Sequence, residues 1–265
     1  MRKVIDLCLD MPMGAEALTN MLSAMCLDPL YRGYKKTYGA GVAAQVGLTV
    51  EEIDAIYESE GRDGFLRIIR EAAEKHAVKP AEFVRHLDEV GVEWGITCDG
   101  DHDNRKTAEI VQAFPKKFKG FIFVDPNRGE EAVRELEVCV KEYGLHALYL
   151  TAFRTKLNAA DRKNYPLYSK ACELGIPVHI YSSLNLSKAV PYDIGHPRYI
   201  DQVARDFPEL KIMAGVSGWP WVLDFLCLAI RHENVYLNFE THAPEKIAMR
   251  GSGYEPYLYL SLIHI

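Results

Sequence analysis

The chain has 265 residues, of which 48% are hydrophobic and 26% are charged, and its formal net charge is -6 at pH 7. This composition is typical of globular proteins, and a chain of this length can form a single (β/α) barrel. The acidic balance and the lack of a Lys/Arg cluster argue against nucleic-acid binding. No apolar run in the sequence reaches the ~18 residues of a membrane span, so we expect no membrane association.

The cysteines are scattered along the chain and form no CxxC pair. The six positions are Cys8, Cys26, Cys98, Cys139, Cys172 and Cys227. Such a distribution favours reduced thiols over a disulfide framework. The first residues, MRKVIDLCLDMP, contain no apolar core of a signal peptide. These features together predict a cytoplasmic protein.

The first predicted strand is the apolar segment KVIDLCLD at residues 3–10. Alternate side chains of a strand point to the same face, so Cys8 and Asp10 should lie side by side. Two such ligands are one short of a catalytic zinc site, and a small packed thiol beside an acid is the simpler interpretation.

Residues 11–80 do not continue a regular alternation of strands and helices. They include a Gly/Tyr-rich stretch and two helical segments, 50–58 and 62–76. We interpret 11–80 as an insertion after strand 1, on the side where the loops of a barrel form sites and lids.

From residue 80 onward, apolar strand segments alternate with amphipathic helical segments. The predicted strands are 92–98, 119–125, 145–150, 176–181, 210–215 and 234–240. The predicted helices between them are 104–114, 129–144, 165–175, 196–208 and 219–232. Continuous apolar strands in this alternation are typical of parallel βαβ units that are buried on both faces. The sequence therefore predicts an α/β fold, a TIM-like (β/α) barrel, and a single domain over 1–265.

Four segments, in this order, resemble the amidohydrolase-related family of TIM barrels. They are KGFIFVDPNRGEEAVRELEVCVKEYGLHALYL, YPLYSKACELGIPVHIYSS, PRYIDQVARDFPELKIMAGVSGWPWV and ENVYLNFE. The resemblance covers residues 3–8 and 80–255, and its most specific part is DFPELKI followed by the glycines and PW. The family includes aromatic-acid decarboxylases and small-molecule hydrolases, and this implies an enzyme with a similar fold.

The family's metal-ligand pattern, by contrast, is replaced in this chain. Where the family has His-x-His after strand 1, this sequence has Cys8 and Asp10. Where it has a histidine ending strand 5 and another after strand 6, this sequence has Tyr181 and Val216. The family's Asp after strand 8 has no counterpart. We therefore expect no metal cofactor, although the family usually holds zinc or another divalent ion.

Candidate catalytic and binding residues lie near the predicted strand ends. The catalytic candidates are Asp10, His179, Tyr181, Glu240 and His242, and the substrate-binding candidates are Arg154 and Ser217. Histidine and carboxylate side chains can transfer protons, and an arginine can hold a substrate carboxylate with two hydrogen bonds. For His179, a structural role as a hydrogen-bonded histidine of the core is an equally good interpretation. For Arg154, Glu240 and His242, surface salt bridges or ordinary loop polarity are equally good interpretations.

A second polar segment, CDGDHDN at 98–104, offers Asp99, Asp101, His102 and Asp103 as possible ligands. A solvated loop whose Asp or Asn caps the next helix is the favoured interpretation.

The resemblance implies an enzyme that hydrolyses or decarboxylates a small carboxylate-bearing or aromatic substrate without the usual metal. The alternative is a non-catalytic barrel that binds a small molecule or a partner subunit. A homo-oligomer is compatible with the resemblance. Because only seven strands are found, the sequence also leads us to expect an incomplete barrel with a truncated C-terminus, cut before strand 8.

Overall fold

The computed structural model describes residues 4–76, 78–240 and 244–260. The chain divides into two compact units, which are described in turn. The first consists of Met1–Phe118 with Leu186–Ala189, and the second of Lys119–Asn185 with Val190–Ile265. Among the described residues, no helix is both long and apolar enough to span a membrane.

The first unit combines a pair of parallel strands with a group of helices. Its elements are β1 (Val4–Asp10), α1 (Ala15–Leu27), α2 (Arg32–Ala44), α3 (Val50–His76), α4 (Pro80–Glu89), β2 (Val92–Cys98) and α5 (Asn104–Ala113). Strand β1 runs parallel to β2, with Val4 opposite Val92 and Asp10 opposite Cys98.

Helices α1, α2 and α3 enclose a hydrophobic core of their own. Its fully buried members include Leu22, Ala43, Ile53, Phe65 and Ile69. Burying each large apolar side chain contributes roughly 1.5–3 kcal/mol, so this core can hold the segment between the two strands in a fixed structure.

Helix α3 confirms the two predicted helical segments at 50–58 and 62–76. They are continuous except at Gly61, whose φ of 66° and ψ of -171° are not helical. This conformation is accessible to glycine and strained for other residues, so Gly61 divides the helix at the position where the sequence pattern changes.

The second unit contains a parallel sheet whose strands follow the chain order. The strands are β3 (Phe118–Ile122, which begins at the last residue of the first unit), β4 (Ala147–Leu150), β5 (Val178–Tyr181), β6 (Ile212–Gly215) and β7 (Val235–Leu237). Each strand pairs in parallel with the next one, and the row Tyr149, His179, Met213 runs across three of them.

Helices connect these strands and bury apolar side chains. They are α6 (Glu130–Lys141), α7 (Ala152–Thr155), α8 (Tyr165–Leu174), α9 (Pro197–Asp206) and α10 (Val222–Arg231), and α11 (Pro244–Ala248) and α12 (Glu255–Leu260) follow β7. Leu136, Tyr168, Val203 and Phe225 on these helices are completely buried. The seven strands in the described part of the chain thus alternate with helices in an α/β fold of the TIM-like (β/α) type, as the sequence predicts.

One predicted helix boundary is wrong. The helix predicted from residue 219 begins at Val222, because the loop before it is bonded to the loop after β5. Gly218 donates its N–H to the Ser182 carbonyl, and the Trp219 carbonyl accepts from the Leu184 N–H. These bonds hold the segment in a conformation that cannot continue the helix, so Pro220 is not in its first turn.

Candidate functional site

A buried ion pair lies at the carboxyl ends of the second unit's strands. His179, in β5, has no exposed surface, and the side chain of Glu240, just after β7, is 8% exposed. The His179 Nε2 atom is 2.9 Å from Glu240 Oε1 and 3.1 Å from Oε2, and its hydrogen-bond geometry favours Oε2. A buried polar group is costly unless it is hydrogen-bonded, so each of these two side chains satisfies the other.

Asn238 fixes the position of that carboxylate. Its Nδ2 donates to Glu240 Oε2 over 3.0 Å. Its backbone is itself held on both sides, because its N–H donates to the Ala214 carbonyl and its carbonyl accepts from the Ser217 N–H. The acid therefore has an ordered partner besides His179.

Gly215, the last residue of β6, makes room for the His179–Glu240 pair. A Cβ atom at this position would lie 2.2 Å from two ring atoms of His179 and 2.7 Å from Glu240 Oε1. Real carbon atoms do not approach so closely, so any side chain here would displace the pair. A glycine at the end of a strand often marks such a close approach.

Aromatic side chains surround the imidazole on the same face of the sheet. The Tyr149 ring stacks on His179 with centroids 4.1 Å apart and an interplanar angle of 15°. Phe121 meets His179 edge-on at 5.6 Å, and Phe123 stacks on Tyr149 at 4.9 Å. This arrangement follows from the strand register, in which Tyr149 is directly opposite His179.

Arg154 lies at the outer end of this aromatic row. It belongs to the short helix α7 and is exposed. Its guanidinium carbon is 5.9 Å from the centroid of the Phe123 ring. An exposed guanidinium beside aromatic rings can bind a carboxylate while the rings contact an apolar body.

Two further candidates are occupied by structural contacts. The Tyr181 hydroxyl donates to the Leu184 carbonyl over 3.0 Å. Ser217 is completely buried, with φ at 54°, and its carbonyl accepts from the Tyr257 hydroxyl. The Ser217 Oγ atom has no hydrogen-bond partner among the described residues. Its burial gives a substrate no direct access to it.

The remaining candidates are only partly described. The backbone of Asp10 pairs with Cys98 at the end of β1, but its side chain lies outside the described part of the structure. His242 also lies outside the described residues, so its proposed pairing with Glu240 stays a prediction. Cys8 is a half-buried cysteine whose backbone N–H donates to Asp6 Oδ1.

The acidic loop of the first unit caps a helix, as predicted. Asp103 Oδ1 accepts from the N–H groups of Arg105 and Lys106 at the start of α5. Asp99 Oδ2 accepts from the N–H groups of Asp101 and Asp103. These carboxylates thus satisfy backbone donors of the loop and of the first helical turn.

The second unit's residues at the family's metal positions, Tyr181 and Val216, differ from the histidines of the family pattern. Val216 has an apolar side chain, and the Tyr181 hydroxyl is already donating to a carbonyl. His179 and Glu240 each offer one atom that could bind a metal ion, and catalytic zinc takes three ligands from the protein.

Comparison with known proteins places the chain in a family. A family model described as amidohydrolase matches residues 60–262. This match spans most of the chain, which therefore belongs to the amidohydrolase family. Among curated proteins, none matches this chain significantly.

Several solved structures share the fold. An uncharacterized TIM-barrel protein from Bordetella bronchiseptica is 21% identical with a TM-score of 0.58, over 90% of this chain and 75% of that one. The 5-carboxyvanillate decarboxylase LigW from Sphingomonas paucimobilis is 15% identical with a TM-score of 0.56, over 94% and 84%. A 5-carboxyvanillate decarboxylase from Novosphingobium aromaticivorans, solved with manganese and 4-hydroxy-3-methoxy-5-nitrobenzoic acid, is 16% identical with a TM-score of 0.54, over 89% and 74%.

Sequence reasoning identified His179 and Glu240 separately and missed that they pair with each other. It also missed Asn238, Gly215 and Tyr149. The available signals were the glycine that ends β6 and the asparagine two residues before Glu240 in NVYLNFE.

Proposed function

We propose that this chain is an amidohydrolase-family enzyme that decarboxylates a small, planar, carboxylate-bearing aromatic substrate without the usual metal. The observation that carries the proposal is the buried His179–Glu240 pair stacked on Tyr149. A histidine hydrogen-bonded to a carboxylate at the carboxyl ends of parallel strands is suited to transfer a proton, and such barrels place their active sites at that end.

The ring nitrogen Nδ1 of His179 is the atom from which a proton can be transferred to a substrate. Nε2 faces Glu240, whereas Nδ1 has no hydrogen-bond partner among the described residues. In the imidazolium form, Nδ1–H is therefore the proton that can be transferred. It would bond to the ring carbon that carries the carboxylate. The bond from that carbon to the carboxylate then breaks, its electron pair returns to the ring and CO2 leaves.

Each neighbouring group has a part in this reaction. Glu240 compensates the charge of the imidazolium until the proton has left, after which His179 is neutral and takes a new proton from water. Phe123 and Tyr149 would contact the substrate ring, and Arg154 would orient its carboxylate on approach. Because His179 has no exposed surface, the substrate must displace neighbouring side chains in order to reach Nδ1.

A second function, a non-catalytic barrel that binds a small molecule, is favoured by that same complete burial. A histidine that no substrate reaches would serve only to stabilise the sheet. The two functions differ in whether CO2 is released.

The test is a hydroxybenzoate panel that consists of 5-carboxyvanillate, 2,6-dihydroxybenzoate and salicylate. CO2 release and ultraviolet absorbance are followed with the wild type, with His179→Asn, and with the exposed control His86→Asn. We expect release by the wild type and the control, and a loss of 100-fold or more in His179→Asn, since general acids contribute about 10²–10⁴-fold. Binding of a panel member without any CO2 release would support the non-catalytic function. Full activity of His179→Asn would refute the proposed role.

A further inference from the structure

The backbone of Asn238 is held in place by two hydrogen bonds. It follows β7, and its backbone N–H donates to the Ala214 carbonyl over 2.7 Å. Its own carbonyl accepts from the Ser217 N–H over 3.2 Å. The backbone around Asn238 is thus bonded to two residues of the β6 segment, and this leaves its amide a narrow range of positions.

The amide donates to the oxygen of Glu240 that His179 also uses. Nδ2 of Asn238 is 3.0 Å from Oε2, and Nε2 of His179 is 3.1 Å from the same atom. The other oxygen, Oε1, accepts no hydrogen bond of good geometry from the described residues. Besides His179, Asn238 therefore restricts the rotation of this carboxylate.

Glutamate has three rotatable side-chain bonds, so a carboxylate with one partner can adopt several orientations. We infer that Asn238 is a positioning residue: its amide holds the Glu240 carboxylate against His179 Nε2 and so keeps Nδ1 directed away from the acid. Its catalytic consequence rests on the proposed function, whereas its effect on the imidazole can be measured in the free protein.

The test compares two substitutions of nearly equal size. Asn238→Leu removes the donor and keeps the volume, and Asn238→Asp replaces the donating nitrogen with an oxygen that repels Glu240. The matched control is Asn127→Leu, because Asn127 is exposed and its Nδ2 also donates to a carboxylate, Asp125 Oδ1, over 2.9 Å. The reference for a lost pair is Glu240→Gln.

The first readout is the ¹⁵N chemical shift of the His179 ring nitrogens in histidine-labelled protein without substrate. We expect the Nε2 shift of Asn238→Leu and of Asn238→Asp to move towards that of Glu240→Gln, while Asn127→Leu keeps the wild-type value. Wild-type ring shifts in both Asn238 variants would overturn the inference. So would a change in Asn238→Leu that Asn238→Asp, of equal shape, does not show, because that pattern indicates a role in packing alone.

The second readout is catalysis of the hydroxybenzoate panel. We expect kcat to fall about tenfold in Asn238→Leu and further in Asn238→Asp with KM little changed, the effect of losing one hydrogen bond to a charged group in the reacting state. A rise in KM at constant kcat would contradict positioning. If the wild type releases no CO2, the proposed function fails, and the ring-nitrogen shifts still decide the role of Asn238.

Discussion

Replacing Gly215 with alanine should break the His179–Glu240 pair and destabilise the protein. The added Cβ would lie 2.2 Å from the imidazole Cε1 and Nε2 atoms. Carbon atoms pack at about 3.5–4.0 Å, so the ring must move by more than about 1 Å. It cannot do so without leaving either the Tyr149 ring, 4.1 Å away, or the carboxylate of Glu240.

The expected loss of stability has two contributions, which are the overpacking by the new Cβ atom and the loss of the contact between His179 and Glu240. Overpacking a filled site costs about 1–3 kcal/mol, and leaving a buried hydrogen-bonding group unsatisfied costs about 1–3 kcal/mol. Because the backbone can relax in part, we expect the free energy of unfolding to fall by about 3 kcal/mol. Urea denaturation followed by circular dichroism measures this change.

A matched glycine substitution serves as the control. Gly41 lies in the exposed part of α2, and a Cβ there would meet nothing within 4 Å. Gly41→Ala should stabilise its helix by roughly 0.5–1 kcal/mol. If Gly215→Ala changes the unfolding free energy by less than about 0.5 kcal/mol, the range of an ordinary surface substitution, the reasoning about close packing around the pair is refuted.

Four other predictions concern binding, metal, thiols and solubility. Arg154→Ala should weaken binding of the carboxylates in the hydroxybenzoate panel by about 1.5–3 kcal/mol, measured by calorimetry, and unchanged affinity for all of them would remove Arg154 from the site. Calorimetric titration with zinc at neutral pH should reveal no submicromolar site, and a tight stoichiometric site would overturn the metal-free proposal. Burial raises the pKa of the Cys139 thiol to about 12. In the native protein a thiol reagent should therefore leave Cys139 unlabelled and react with the exposed Cys227. Equal labelling rates of the two cysteines would contradict this prediction. Among the described residues of the first unit, β1 pairs with β2 alone, and the β1 residue Ile5 is 50% exposed. Because an exposed strand edge can pair with another chain, Ile5→Lys should reduce aggregation measured by light scattering. Unchanged aggregation would show that this strand edge is not its cause.

Much of the fold could be predicted because it depends on patterns within short segments. Apolar runs of strand length located the parallel strands, and helical patterns located the two segments of α3. The start of α10 could not be predicted from the local sequence, since it depends on hydrogen bonds to residues of the loop after β5. Such bonds join segments that are distant in sequence, and local propensity carries no information about them.

The site was predicted in parts for the same reason. His179 was named as a candidate because it lies near the end of a predicted strand, where such barrels place their sites. Its partner Glu240 is 61 positions further along the chain, and only the register of β5, β6 and β7 brings the two together. The role of Gly215 depends on which atoms a side chain at this position would contact, and these are known only from the assembled sheet.

The measurement that tests proton donation by His179 most directly is deuterium incorporation during decarboxylation of the hydroxybenzoate panel in heavy water. The wild type should release CO2 and yield a product with one deuterium on the ring carbon that carried the carboxylate, as seen by NMR. His179→Asn should form this product at least about 100-fold more slowly. Product formation at the wild-type rate in His179→Asn would contradict the account.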